Sequence, residues 1–145
     1  MSLALEHRFI VGKIPKAVRF LPIVFPICYK RVCLQLLRRR PHELVEQAWQ
    51  QAGIPDPIRT AVIRATVEEF CWPTASPFLP EDECFVLLHF WHRKWVDNLE
   101  LVSYILQLER ELAIDIPAEL LSNLYALRLG EFAKELAGLA GKAPQ

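Results

Sequence analysis

The chain has 145 residues, 52% of them hydrophobic and 10% aromatic, with only five glycines and a formal net charge of zero. That length buries one good core but not two ordinary domains, and the composition argues against disorder and for an all-helical class. The zero charge hides an asymmetry, because residues 1–40 carry nine Lys or Arg against Glu6 and the remainder eight against sixteen acids, an acidic body that argues against nucleic acid as the principal partner and leaves anionic lipid or RNA to the arm alone.

Residues 1–40 read as a basic N-terminal arm. Its apolar run, Phe20 to Tyr29, is interrupted by Pro22 and Pro26 and is ten residues long, half of the about 20 that a membrane-crossing helix needs. Lys13, Lys16, Arg19, Lys30, Arg31 and Arg38-Arg39-Arg40 flank the run. Three fates stay open for this arm: disorder, docking on the body, or association with an anionic membrane surface, where cations and apolar anchors reinforce one another. Met1 is the only methionine, so a translation start further in would need a non-standard codon.

A helical domain is expected over residues 41–145. In Pro41–Gly53, Leu44, Val45, Ala48 and Trp49 share one face, and Gly53 supplies a C-terminal stop. Asp56 and Pro57 then predict an N-cap and first-turn proline for a helix through Phe70 that stops near Trp72-Pro73. Thr74–Pro80 reads as a loop. Glu81–Trp95 reads as an aromatic helix with acids at its start and His92, Arg93 and Lys94 at its end, an order that complements the helix dipole. Its centre is apolar nearly all round and is placed in the core.

Asp97 opens the next helix, with Glu100 three residues on as in a capping box. Leu101, Ile105, Leu108 and Leu112 form one stripe, and Leu99, Val102 and Leu106 a second beside it, so this helix is expected to be apolar over a broad face. Pro117 starts a short helix through Leu124, Arg128–Leu139 forms the last one, and the tail from Ala140 frays. Cys28, Cys33, Cys71 and Cys84 show no repeated metal or redox spacing and follow no secretory signal, which predicts reduced, mostly buried thiols in a cytoplasmic protein.

Several constellations in the chain carry chemistry in other proteins. His92 and Asp97 have a spacing used in some lipid acyltransferases, where the Asp orients a His acting as general base. The two straddle a helix stop and a helix start, which makes them a weak alternative. His89 and His92 with Cys84 or Cys71 fit no ordinary zinc spacing. The rings of Phe85, Phe90, Trp91 and Trp95 read as core before they read as a ligand cavity. No Gly-rich phosphate loop, nucleophile elbow or paired catalytic carboxylates appear, so neither an enzyme nor a bound metal or cofactor is expected.

Four segments share an order and spacing: Asp97-Asn98-Leu99, Leu108-Glu109-Arg110-Glu111-Leu112, Ile114-Asp115-Ile116-Pro117 and Leu129-Gly130-Glu131-Phe132. Together they resemble the acyl carrier proteins, whose long second helix opens on Asp-Ser-Leu and closes on an Ile-Glu-Ile-Pro-like turn. The resemblance covers Asp97–Leu139. It extends loosely over about 57–140 if Pro57–Cys71 is the first helix, with Glu43–Gly53 as the rival. It implies a small acyl-carrier-like helical bundle to which the aromatic helix and the basic arm are additions without counterpart.

In that family the Ser after the opening Asp is esterified to phosphopantetheine, at a helix N-terminus that favours the phosphate. Asn98 stands there instead, and a carboxamide with a delocalised nitrogen lone pair cannot form that phosphodiester. Asn98 is therefore a degenerate attachment position, and Ser103, about a turn and a half further in, is too distant to replace it. What the resemblance still implies is a recognition surface. Asp97, Glu100, Glu109, Glu111 and Asp115 would face a basic patch on a partner enzyme of lipid or polyketide-type metabolism. The alternative is a helical adaptor unrelated to carriers.

Overall fold

Helical periodicity organises the computed structural model of the chain, which describes residues 33–89 and 99–142. The described residues are mostly helical and contain no strand, only an isolated antiparallel bridge between Glu83 and Arg128. The chain is thus all-α over the described residues.

Residues 33–39 are already helical. Cys33 and Leu37, four apart and so on one face, are both buried, and Arg40 is only 6% exposed. The helical body includes residues 33–40, because Arg40 enters it as the partner of a buried carboxylate. The Arg40 guanidinium donates through two nitrogens to the two oxygens of Asp82, each at 2.6 Å, and to the Pro77 carbonyl at 2.9 Å. Asp82 also accepts the Leu79 backbone N–H at 2.8 Å. Both charged side chains are fully shielded from solvent. Such a fork-to-fork pair holds two charges in a low-dielectric interior by satisfying several of their hydrogen-bonding positions at once.

Helix α1 spans His42–Ala52 and buries Val45 and Trp49. Gly53 ends it at φ 68°, the left-handed geometry that glycine adopts without a Cβ penalty, as its position predicts. The Trp49 indole N–H donates to the Phe78 carbonyl at 2.8 Å, anchoring α1 on the loop that follows α2.

Helix α2 spans Asp56–Glu69. The expected N-cap role of Asp56 is not seen: Pro55 occupies the cap, Asp56 and Pro57 lie in the first turn, and no side chain caps the helix. The helix stops at Glu69, before Trp72-Pro73, because Cys71 turns left-handed at φ 55° and the Trp72 N–H closes back on the Val67 carbonyl at 3.1 Å. That conformation exposes Cys71, while Cys33 and Cys84 are buried as expected. Cys28 lies outside the described residues.

The stretch expected to be a loop, residues 74–80, is one that enters the core. Phe78 and Leu79 are fully buried, and Phe78 meets Trp72 edge to face at 5.4 Å between ring centroids. Helix α3 then covers Cys84–His89. Val86, Leu87 and Leu88 are completely buried, in keeping with an all-round apolar helix. Glu81 to Glu83 precede the helix as a turn, and Asp82 is committed to Arg40. The remainder of the expected aromatic helix, Phe90 to Trp95, lies outside the described residues.

Helix α4 spans Leu99–Leu112, α5 spans Ala118–Ser122 behind Pro117, a 3-10 turn follows at Leu124–Ala126, and α6 spans Leu129–Lys142. The last helix runs three residues beyond the expected stop at Leu139. Helix α2 packs against both α4 and α6. Its small residues Ala61 and Ala65 let the backbones approach, and Tyr104 of α4 fills the space between Phe70 and Phe132, at 5.5 Å and 6.3 Å between centroids. The buried Tyr104 hydroxyl lies 3.3 Å from the Thr66 hydroxyl, which in turn donates to the Val62 carbonyl at 2.7 Å. Burial raises the Tyr104 pKa, so the phenol stays neutral and serves as a hydrogen-bonding anchor.

Gly130, at the start of α6, donates its N–H to the Pro80 carbonyl at 2.8 Å, and a Cβ there would lie 2.6 Å from the Pro80 Cβ. Backbone bonds from Cys84 to Leu127 and from Leu129 to Asp82 complete the seam. The first turn of α6 is thereby fastened to the loop that also holds Arg40.

Candidate contact surface on the long helix

Helix α4 carries Glu100, Glu109 and Glu111 of the residues singled out from the sequence, and it has two apolar sides. At about 100° per residue, Leu101, Tyr104, Ile105, Leu108 and Leu112 cluster on one arc. The arc of Leu99, Val102 and Leu106 is centred roughly 140° away. The first arc faces α2 and the core, with Tyr104, Ile105 and Leu108 buried. The second faces outward: Leu99 is 67% exposed, Val102 53% and Leu106 52%. One broad apolar face is expected from the sequence, whereas the fold buries one arc and presents the other. The separation between the arcs was the available signal, since a single core contact does not need so wide an apolar sector.

The expected acidic face is only partly assembled. Glu109 accepts the Ile116 backbone N–H at 2.9 Å, which ties down the turn after α4. Ala113 makes that turn possible at φ 52°, and the Ile114 N–H closes on the Glu109 carbonyl at 3.2 Å, leaving Ile114 and Ile116 buried on either side of exposed Asp115. Glu111 pairs with Arg64 of α2 at 2.5 Å and accepts from Gln107 at 3.1 Å. Burial works to raise the Glu111 pKa, but the hydrogen bonds from Arg64 and Gln107 and the Arg64 charge outweigh it and hold the carboxyl below its ordinary range. Glu100 is half-buried on the same flank. Of the described acids in the expected set, Asp115 alone is exposed without a hydrogen bond or ion pair.

Asp97, Asn98 and His92 lie outside the described residues, and with them the degenerate attachment position and the His92–Asp97 pair. His89 is placed only as the last residue of α3. Among the described residues no group of three or more His, Cys, Asp or Glu is arranged to hold a metal ion, and no helix is long and apolar enough to cross a membrane.

An open groove of about 690 Å³ runs along the outer side of α2, lined by Glu46, Arg59, Arg64, Glu68 and Thr74 among others. Four of its charged groups have partners within the fold: Arg59 forks onto Glu46, Arg64 reaches Glu111, and Gln107 donates to Glu68 at 2.8 Å. The guanidinium of Arg59 also lies 5.6 Å over the Trp49 ring. A ligand there would have to break these pairs. The outward stripe of α4 requires no such exchange, and it is the best-defined candidate contact surface among the described residues.

No protein-family model, curated protein or solved structure matches the chain. What the fold and surface define is a class: an all-α body presenting an apolar ridge on its long amphipathic helix.

Proposed function

We propose that the chain is a non-enzymatic, acyl-carrier-like helical protein, without covalent phosphopantetheine, that works in the cytoplasm through protein–protein contacts made by α4. One observation carries this reading: Leu99, Val102 and Leu106 face solvent in line on a helix whose other apolar arc packs on the core. Exposed aliphatic side chains in register along one helix mark an interaction surface more than scattered ones do. The order of segments from Asp97 to Phe132 supplies the carrier class and, with it, the lipid or polyketide-type setting. Asn98 supplies the absence of covalent carriage.

The test is modification by a broad-specificity phosphopantetheinyl transferase with coenzyme A, read by intact mass. The native chain is expected to remain unmodified and the Asn98→Ser variant to gain one phosphopantetheine. Modification of the native chain would overturn the reading of Asn98. The second reading, a helical adaptor unrelated to carriers, draws on the internal use of Glu109 and Glu111, which removes two acids from the surface a carrier's partner would read. Failure of both forms to accept the group selects it.

A further inference from the structure

Arg38, Arg39 and Arg40 are adjacent in sequence and divided by the fold. Arg40 turns inward onto Asp82, which neutralises its charge within the body. Arg38 and Arg39, in the last turn of the helical residues 33–39, are exposed, and neither has an ion-pair partner among the described residues. Burial of Cys33 and Leu37 fixes that helix on the body, so the two guanidinium groups are carried on a held edge of the fold.

Residues 1–32 lie outside the described residues, and their sequence continues the same charge. Arg8, Lys13, Lys16, Arg19, Lys30 and Arg31 stand there against Glu6, and with Arg38 and Arg39 they make eight cations not committed to the core. Between Arg19 and Lys30 the run Phe20 to Tyr29 carries no charge at all. The phosphates of a nucleic acid would use the cations and leave this run in water. An anionic bilayer uses both, because cations meet the headgroups while apolar side chains enter the boundary beneath them, and the two signals reinforce one another. The run is half of the about 20 residues that a crossing helix needs, which makes it an anchor and not a span. Residues 41–145, with eight cations against sixteen acids, are repelled by the same surface.

We propose that Arg38 and Arg39, with the basic and apolar sequence that precedes them, bind an anionic lipid surface. Arg40 is the border, with lipid contact ahead of it and the fold behind it. Each cation close to such a surface raises partitioning about fivefold, so loss of the exposed pair is expected to lower binding about tenfold or more. This contact involves neither α4 nor the carrier class, and a negative result leaves the proposed function untouched.

The test is flotation of the full chain with vesicles of phosphatidylcholine alone or of phosphatidylcholine mixed with phosphatidylserine, since aggregates sink while vesicles rise. The chain is expected to float with the mixed vesicles only, and less so as sodium chloride is raised. Arg38→Ser with Arg39→Ser should lower that binding about tenfold or more at an unchanged urea midpoint, and Phe20→Ser with Phe25→Ser should also lower it. Flotation with neither vesicle, equal flotation with both, or binding unmoved by the Arg38 and Arg39 substitutions overturns the proposal. Displacement from the mixed vesicles by single-stranded polyuridylate, with no effect of the Phe20 and Phe25 substitutions, assigns the cations to nucleic acid and overturns it as well.

Discussion

Replacing Arg40 by Met would leave the Asp82 carboxylate in a site that water does not reach. Both side chains are 0% exposed, and the guanidinium makes two 2.6 Å bonds to the carboxylate. Removing one member of such a pair typically costs about 3–5 kcal/mol, because the surviving charge keeps its desolvation penalty and loses its counter-charge. Asp82→Ala also strips the acceptor from the Leu79 N–H, adding about 1 kcal/mol or more. Against a total stability of about 5–15 kcal/mol for a domain, either variant approaches the limit of folding. The double variant Arg40→Met with Asp82→Leu removes both charges together and is expected to be less destabilised than the sum of the singles, by about 2 kcal/mol or more. Urea unfolding followed by far-ultraviolet circular dichroism measures all of these, with an unchanged slope confirming that stability alone has moved. A chain lacking residues 1–40 should behave like Arg40→Met or worse, since it also loses Cys33 and Leu37 from the core. The reasoning is refuted if Arg40→Met costs less than about 1 kcal/mol, or if the double variant is simply additive, because the pair would then be behaving as an exposed one.

Two glycines of α6 should respond in opposite directions. Gly130→Ala places a Cβ 2.6 Å from the Pro80 Cβ and should lower stability by about 1–3 kcal/mol, whereas Gly138→Ala meets nothing within 4 Å and should raise it by about 0.5–1 kcal/mol through helix propensity. Thermal melts of the two variants check the pair of signs. For acid stability, Glu46 is held below its ordinary 4.5 chiefly by the Arg59 hydrogen bond, and Glu111 is held below it by Arg64 and Gln107 against the opposing effect of burial. A carboxyl whose pKa falls on folding stabilises fully above its unfolded value and loses that contribution as pH falls through the folded one. The urea midpoint should therefore hold down to about pH 5, decline below about 4.5, and decline less steeply in Arg64→Gln. A midpoint that rises on acidification would contradict the assignment.

Local signals were legible wherever the chain itself closes the argument. Gly53 marked the end of α1 because a left-handed residue is needed there, and Pro117 marked the start of α5 because it sits comfortably ahead of a first turn. The apolar centre of Glu81–Trp95 marked buried Val86, Leu87 and Leu88 because no polar face is offered to water. Cys71 and Ala113 gave no such notice. Both occupy positions where glycine is usual, and only the closing bonds from Trp72 to Val67 and from Ile114 to Glu109 reveal that the chain turns left-handed there.

What the sequence by itself determined is the helical class, the register of apolar stripes around each helix and most of the stops, all properties of neighbours within a turn or two. Which stripe of α4 is core and which is surface was decided only when α2 packed on one side of it and Tyr104 met Phe132 of α6, since periodicity yields an angle around a helix but not the direction of the body. Tertiary contact likewise drew Arg40 out of the basic arm and onto a carboxylate 42 residues away, and gave Glu109 and Glu111 internal partners. Charge and hydrophobicity are carried by each residue alone, but burial and pairing depend on what the fold sets beside it.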